Sequence, residues 1–255
     1  MTELIRIEKI IKVFHSRKGD VHALGTLGLS IESGEFVSFL GPSGCGKTTL
    51  LMVIAGLIKP TGGKVSIGGN IVDRPQTNVG IVFQDPVLVD WRDVLDNVLL
   101  QIEMRNLEIS DYKEKAKDLL ASVGLKDFLK HHPYELSGGM KQRTAFCRAL
   151  IHDPPLILMD EPLGALDAMT RSKLRRDLEK LWSKTKKTFL FVTHDITEAI
   201  QLSDKIIIMT PRPGKIVKII DIKLPRPRGY EVLESTQFIE YNREIKEIFM
   251  EYGAI

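Results

Sequence analysis

The sequence predicts an α/β fold, a mostly parallel sheet covered by helices on both faces. Three observations carry this. The short apolar runs Phe36–Leu40, Leu156–Met159 and Ile206–Met209 have the length and composition of buried strands. Stretches of helical periodicity alternate with strand-like runs, which implies parallel pairing. The first apolar run ends in Gly41-Pro42-Ser43-Gly44-Cys45-Gly46-Lys47-Thr48, a glycine-rich loop that opens a helix.

Taken in order, residues 4–14 and 21–40 alternate apolar and polar positions around turns at Lys18-Gly19-Asp20 and Ser33-Gly34-Glu35. They read as the strands of an antiparallel β subdomain feeding the run at 36–40. Thr48 to Leu57 has helical spacing and is closed by Gly56 and Pro60. Residues 61–72, with Gly62-Gly63 and Gly68-Gly69, predict a hairpin.

From about Val87 to Ile151 the pattern is helical, with Val94, Leu95, Val98, Leu99 and Ile102 on one face and Ala116, Leu119, Leu120 and Val123 on another. This stretch reads as a helical subdomain inserted between sheet strands. A strand (156–160), a charged helix (168–185), a strand (188–193), a helix (195–202) and a strand (205–210) follow. The mixed charges of Arg171 to Lys187 read as a solvated helix face. Past Pro211-Arg212-Pro213-Gly214 the pattern predicts a strand pair at 215–224. A last helix carries the stripe Phe238, Tyr241, Ile245, Ile248 and Phe249, expected to pack back on the domain. The expected organisation is one domain over residues 1–230, with the helical subdomain at about 87–151, and a helical extension over 231–255.

The 255 residues suffice for one large domain with a substantial core. Hydrophobic residues make up 43% and charged residues 27%, the balance of a soluble globular protein. With 36 basic against 33 acidic residues the net charge is +3, too weak a field to favour nucleic acid. No apolar run approaches the ~18 residues of a membrane span. The N-terminus lacks a signal-peptide pattern, and Cys45 and Cys147 make no disulfide framework. A cytoplasmic chain is expected, with any membrane role exerted through a partner.

The glycine loop carries the first chemistry. Gly41, Gly44 and Gly46 let successive backbone N–H groups turn inward around phosphate oxygens, with Pro42, Ser43 and Cys45 between them. The following helix aims its positive end at the same place. Lys47 reaches β- and γ-phosphates, Thr48 ligates Mg²⁺ and Thr49 donates toward the α-phosphate. Cys45, at a helix N-terminus, is expected to have an acidic thiol whose alkylation blocks nucleotide binding. Downstream, the strand at 156–160 delivers Asp160 and Glu161 to the sheet edge. There Asp160 can hold the Mg²⁺ shell and Glu161 can polarise an attacking water as general base.

Leu136-Ser137-Gly138-Gly139-Met140-Lys141-Gln142 lies between these halves. Ser137 caps a helix from about 138 to 152, and the glycines leave its N-terminus open to phosphate. One helix N-terminus of the chain already serves its phosphates, so a second implies a site shared by two chains.

Leu136–Gln142 resembles the signature motif of ATP-binding cassette (ABC) ATPases, and the likeness in identity, order and spacing covers nearly the whole chain. It implies a P-loop NTPase core of RecA-like type. Gln84, in Val82-Phe83-Gln84-Asp85, resembles the family's Q-loop glutamine, which contacts Mg²⁺ and the attacking water. Gly164-Ala165-Leu166-Asp167 resembles its D-loop and Thr193-His194-Asp195 its switch histidine, while Phe14 takes the place of the aromatic that stacks on adenine. The resemblance further implies a head-to-tail homodimer with two ATP molecules between one chain's glycine loop and the other's Ser137 and Gly139. His194 would contact the γ-phosphate, and Asp167 would lie at the dimer seam. Phe146-Cys147, bulkier than is common there, reads as a core adjustment.

In such a family the helical insertion receives a helix of a membrane permease. Pro86 to Asn97 is the candidate groove, with Trp91 either lining it or buried. Gln84-Asp85-Pro86, Trp91, Val94–Val98 and Leu224-Pro225-Arg226-Pro227-Arg228 resemble import ATPases for nitrate, taurine and aliphatic sulfonates, although Asp90, Arg92 and Asp93 are more charged than usual for that group. The absence of a further domain of ~100 residues speaks against sugar-importer ATPases. The implied partners are transmembrane permease subunits and, indirectly, an extracytoplasmic solute-binding protein, which places the chain on the inner face of the cell membrane. The competing expectation is a non-importer member, such as a cell-division or lipoprotein-release ATPase. A nucleotide-binding scaffold without turnover is disfavoured by Glu161 and His194.

Overall fold

The computed structural model describes residues 2–253. Met1 and Ala254-Ile255, at the ends of the two expected domains, lie outside the described residues. The N-terminal alternation produces β1 (Glu3–Phe14) and β2 (Val21–Glu32), paired antiparallel with register shifts that bend the ribbon. β3 (Phe36–Leu40) is apolar but for Ser38 and buried at every position, as a strand covered on both faces must be. It runs into the glycine loop and α1 (Lys47–Ile54). β4 (Gly62–Ile67) and β5 (Asn70–Ile71) form the predicted hairpin, and β4 pairs antiparallel with β1.

β6 (Val79–Val82) is a strand that periodicity does not predict, because four residues including Gly80 are too few to show a period. The helical insertion supplies α2 (Val94–Glu103), capped by Asp93, α3 (Ile109–Ser122) and α4 (Gly138–Leu150), capped by Ser137. Then come β7 (Leu156–Asp160), α5 (Ala168–Thr185), β8 (Thr188–Thr193), α6 (Ile196–Leu202), β9 (Lys205–Met209) and β10 (Ile216–Asp221). The chain closes with α7 (Tyr230–Leu233) and α8 (Thr236–Glu251). The expected strand pair at 215–224 is instead the single strand β10, antiparallel to β9. The open edge of β9 takes the hydrogen bonds that a hairpin would have needed, and the prolines beyond Leu224 remove donors.

The chain divides into two units, with the boundary inside α5. One takes the chain up to Thr77 and from Glu179 onward, the other Asn78–Leu178. In the first, the strand order is β10-β9-β3-β8, and β3 lies parallel to both β8 and β9. β2-β1-β4-β5 forms its antiparallel sheet. In the second, β6 and β7 pair in parallel, and Val94, Val98, Ile102, Ala116, Leu120 and Cys147 share one core among α2, α3 and α4. Phe146 and Cys147 are both buried, in keeping with a core role. Among the described residues no helix is long and apolar enough to cross a membrane.

The C-terminal stripe packs as expected. Phe238, Ile245 and Phe249 are buried against Ile200, Ile206, Ile220 and Leu224. The preceding Arg226 and Arg228 are fasteners. Arg226 pairs with Glu179 and Asp204 and stacks over Trp182 at 4.2 Å. Arg228 is 1% exposed, and its guanidinium donates to the carbonyls of Ile200, Ser203, Ile222 and Leu224. Burial pulls its pKa down to about 10, so it stays charged at neutral pH. Arg228→Met is expected to cost about 1–3 kcal/mol, because it leaves buried carbonyls without their donor. A denaturant midpoint unchanged from wild type would show that Arg228 fastens nothing.

Candidate functional site

Parallel strands bring the sequence-predicted residues to their C-terminal ends, where α/β sheets bind ligands. In the first unit Leu40 of β3 lies opposite Thr193 of β8, so the glycine loop and His194 issue from neighbouring strand ends. In the second unit Val82 of β6 lies opposite Met159 of β7, so Gln84 and Asp160-Glu161 do the same.

The glycine loop is shaped by Gly44 and Gly46, whose φ of 76° and 104° lie in the left-handed region open to glycine. α1 begins with no side-chain cap and no acidic residue in its first turn. Its first amides and positive end therefore favour an anion, which is what a phosphate chain supplies. Lys47, 4% exposed, donates from Nζ to the carbonyls of Gly41 at 2.8 Å and Pro42 at 3.0 Å. Ser43 and Thr48 are exposed, and Thr49 is half-buried.

The expected acidic Cys45 is corrected here. Its thiol is 1% exposed, and burial pushes its pKa up more than the nearby Lys47 ammonium pulls it down. A buried, protonated thiol is a poor target for alkylation. Proximity to a helix N-terminus signals an acidic thiol only when the sulfur also reaches water.

Phe14 ends β1, 39% exposed, with the Lys12 ammonium 4.7 Å from its ring centroid. Lys12 also donates to the Lys59 carbonyl at 2.9 Å, so the ring is held by an anchored cation. The motifs do not single out Lys12, although period-two alternation puts it on the face of Phe14. Nor do they single out Arg212, which donates to the Gly44 carbonyl at 3.2 Å from Nη2. His194 is exposed just before Asp195, the cap of α6.

In the second unit Asp160 is 9% exposed at the end of β7, and Glu161 turns the chain with φ of 43°. That backbone costs about 1–3 kcal/mol for a residue with a side chain, a strain typical of functional sites. A Cβ built on Gly164 would lie 3.5 Å from Gln84 Nε2 and 3.8 Å from Glu161 Oε2. The amide and the carboxylate expected to handle water thus flank one point.

α4 starts as predicted, with the Ser137 hydroxyl accepting from Met140 N–H at 3.4 Å. A Cβ on Gly139 would come within 2.4 Å of Thr170 Cγ2, so a side chain there would have to displace the Thr170 methyl at the start of α5. Asp167 caps α5, accepting from the N–H groups of Met169 and Thr170 at 3.1 and 3.0 Å. Its hydrogen bonds from Thr170 hold its carboxyl below the usual range.

Trp91 is 82% exposed, which removes the buried alternative. Two of the unusual charges serve the unit itself. Arg92 pairs with Glu103, and Asp93 caps α2 while accepting from Lys130 at 2.9 Å. Among the described residues no group of three or more His, Cys, Asp or Glu could hold a metal. In the second unit the Asp160 carboxylate and the Gln84 amide offer oxygen, the donor type that a hard cation takes.

A family model described as ABC transporter matches residues 24–164. An uncharacterized ABC transporter ATP-binding protein of Methanocaldococcus jannaschii is 45% identical, over 96% of this chain and 90% of its own. An aliphatic sulfonates import ATP-binding protein of Bacillus cereus is 42% identical, over 98% and 97%. A taurine import ATP-binding protein of a Jannaschia species is 46% identical, over 89% and 86%. A dimeric post-hydrolysis ATP-binding cassette bound to ADP and phosphate superposes with a TM-score of 0.77 and 33% identity, over 87% of this chain and all of its own.

Proposed function

This chain belongs to the ABC transporter family, and we propose that it is the ATP-hydrolysing subunit of an importer for sulfonates, taurine or a related anion. The observation that carries hydrolysis is the convergence of Gln84 Nε2 and Glu161 Oε2 about Gly164. It supplies a base and an orienting amide at one point, beyond what nucleotide binding needs. The solute class rests on the sulfonate- and taurine-import names of two extensively aligned relatives.

In this reading Phe14 stacks on adenine, and the amides of residues 41–46 with Lys47 hold the β- and γ-phosphates. Thr49 donates to the α-phosphate. Thr48, Asp160 and Gln84 would hold Mg²⁺, which would supply charge neutralisation at the phosphates. Glu161 takes a proton from water as its oxygen attacks the γ-phosphorus, the bond to the bridging oxygen breaks, and ADP and phosphate leave. His194 contacts the γ-phosphate and steadies the water. The site is completed by Ser137 and Gly139 of a second copy in a head-to-tail homodimer, with Asp167 near the seam. The exposed Met169 beside Asp167 supports an interface there. A permease helix docks at Pro86–Asn97, where Val87 and Trp91 are 59% and 82% exposed. The subunit then sits on the inner face of the membrane, with a solute-binding protein acting across it.

Co-expression with a permease of the sulfonate or taurine importer type tests this. The chain is expected to co-purify with the membrane subunit and, in proteoliposomes, to hydrolyse ATP faster when solute and binding protein are present. A chain that stays unassociated and unstimulated with that permease is no importer subunit.

A further inference from the structure

α4 is fastened to the Gln84 loop on both sides of that glutamine. On the near side Gln142, 2% exposed, donates from Nε2 to the Phe83 carbonyl at 3.2 Å. On the far side Arg148, in the last turn of α4, donates from Nη2 to the Pro86 carbonyl at 2.7 Å and from Nη1 to the Val87 carbonyl at 2.8 Å. Only Gln84 and Asp85 lie between these anchors, and both are exposed.

The far anchor holds an unfavourable conformation. Val87 has φ of 46°, which its β-branched side chain makes an outlier. Its side chain is 59% exposed, so apolar packing offers little to offset that cost. The fork of Arg148 does, through short charge-assisted bonds to two consecutive carbonyls.

The geometry points to Arg148 as a positioning residue for hydrolysis, which with Gln142 clamps the Gln84 loop to the helix that starts at Ser137. This rests on the proposed role of Gln84 in hydrolysis. Gln84 then keeps its place beside Glu161 because its loop cannot relax at Val87. Engagement of Ser137 and Gly139 at the start of α4 and the placement of Gln84 become one movement. Lysine cannot replace the fork, since it has no planar pair of donors.

The experiment uses the purified full chain. Arg148→Lys is expected to lower kcat about tenfold, with nucleotide affinity changed less than twofold. Gln84→Ala with Arg148→Lys should be no slower than Gln84→Ala alone, because both remove one function. Val87→Asn should restore at least half of the lost kcat to Arg148→Lys, as asparagine tolerates the left-handed backbone. Multiplying effects of Gln84→Ala and Arg148→Lys, an unchanged kcat in Arg148→Lys, or no rescue by Val87→Asn would overturn the clamp. Should Arg148→Lys not fold, Gln142→Leu loosens the other anchor, and additivity with Gln84→Ala is again the overturning result. Wild-type hydrolysis by Gln84→Ala alone would instead remove the role of Gln84, and the clamp's purpose with it.

Discussion

Glu161→Gln is expected to bind ATP with near wild-type affinity while turnover falls by about 10²–10⁴-fold, the usual contribution of a general base. The substitution keeps shape and hydrogen-bonding reach and removes the group that accepts the proton of water. Glutamine can take the same turn at φ of 43° with no added strain, so the loop at 160–164 should persist. With ATP unhydrolysed, the two-chain assembly should accumulate. Single-turnover kinetics and size-exclusion chromatography with ATP read both effects. Wild-type hydrolysis in this variant would remove Glu161 as the base.

Lys47→Ala should weaken ATP binding by about 10–100-fold, from the loss of a charged hydrogen-bond donor in a buried setting. Lys47 is 4% exposed and already directed into the loop, donating to the Gly41 and Pro42 carbonyls. Its ammonium is therefore held where the loop's amides and the start of α1 favour an anion. ATP should raise the melting temperature of the wild type more than that of the variant at the same concentration. Unchanged nucleotide affinity would contradict the role given to Lys47.

Residues whose chemistry is local were legible along the chain. The glycine loop announces itself because left-handed turns need glycine at fixed spacing, and Gly44 and Gly46 take those turns. Ser137 is readable as a cap because capping involves only the next few residues. β6 was not readable, since four residues carry no period and its pairing with β7 is set by a distant segment. The expected strand pair at 215–224 failed for the same reason, as the edge of β9 is visible only in the fold. Cys45 was misread because burial, a property of the packed protein, outweighs the local helix end.

By itself the sequence determined the family, the order of the candidate site residues and the strand ends that carry them, because motif, period and cap are written within a few residues. The tertiary structure alone decided which side chains hold those residues in place. Lys12 beneath Phe14, Arg212 on Gly44 and Arg148 on Val87 act on the ring or on carbonyl oxygens. A backbone carbonyl has no residue identity, so no spacing in the sequence can mark its partner. Folding supplies the distance, and with it the interaction.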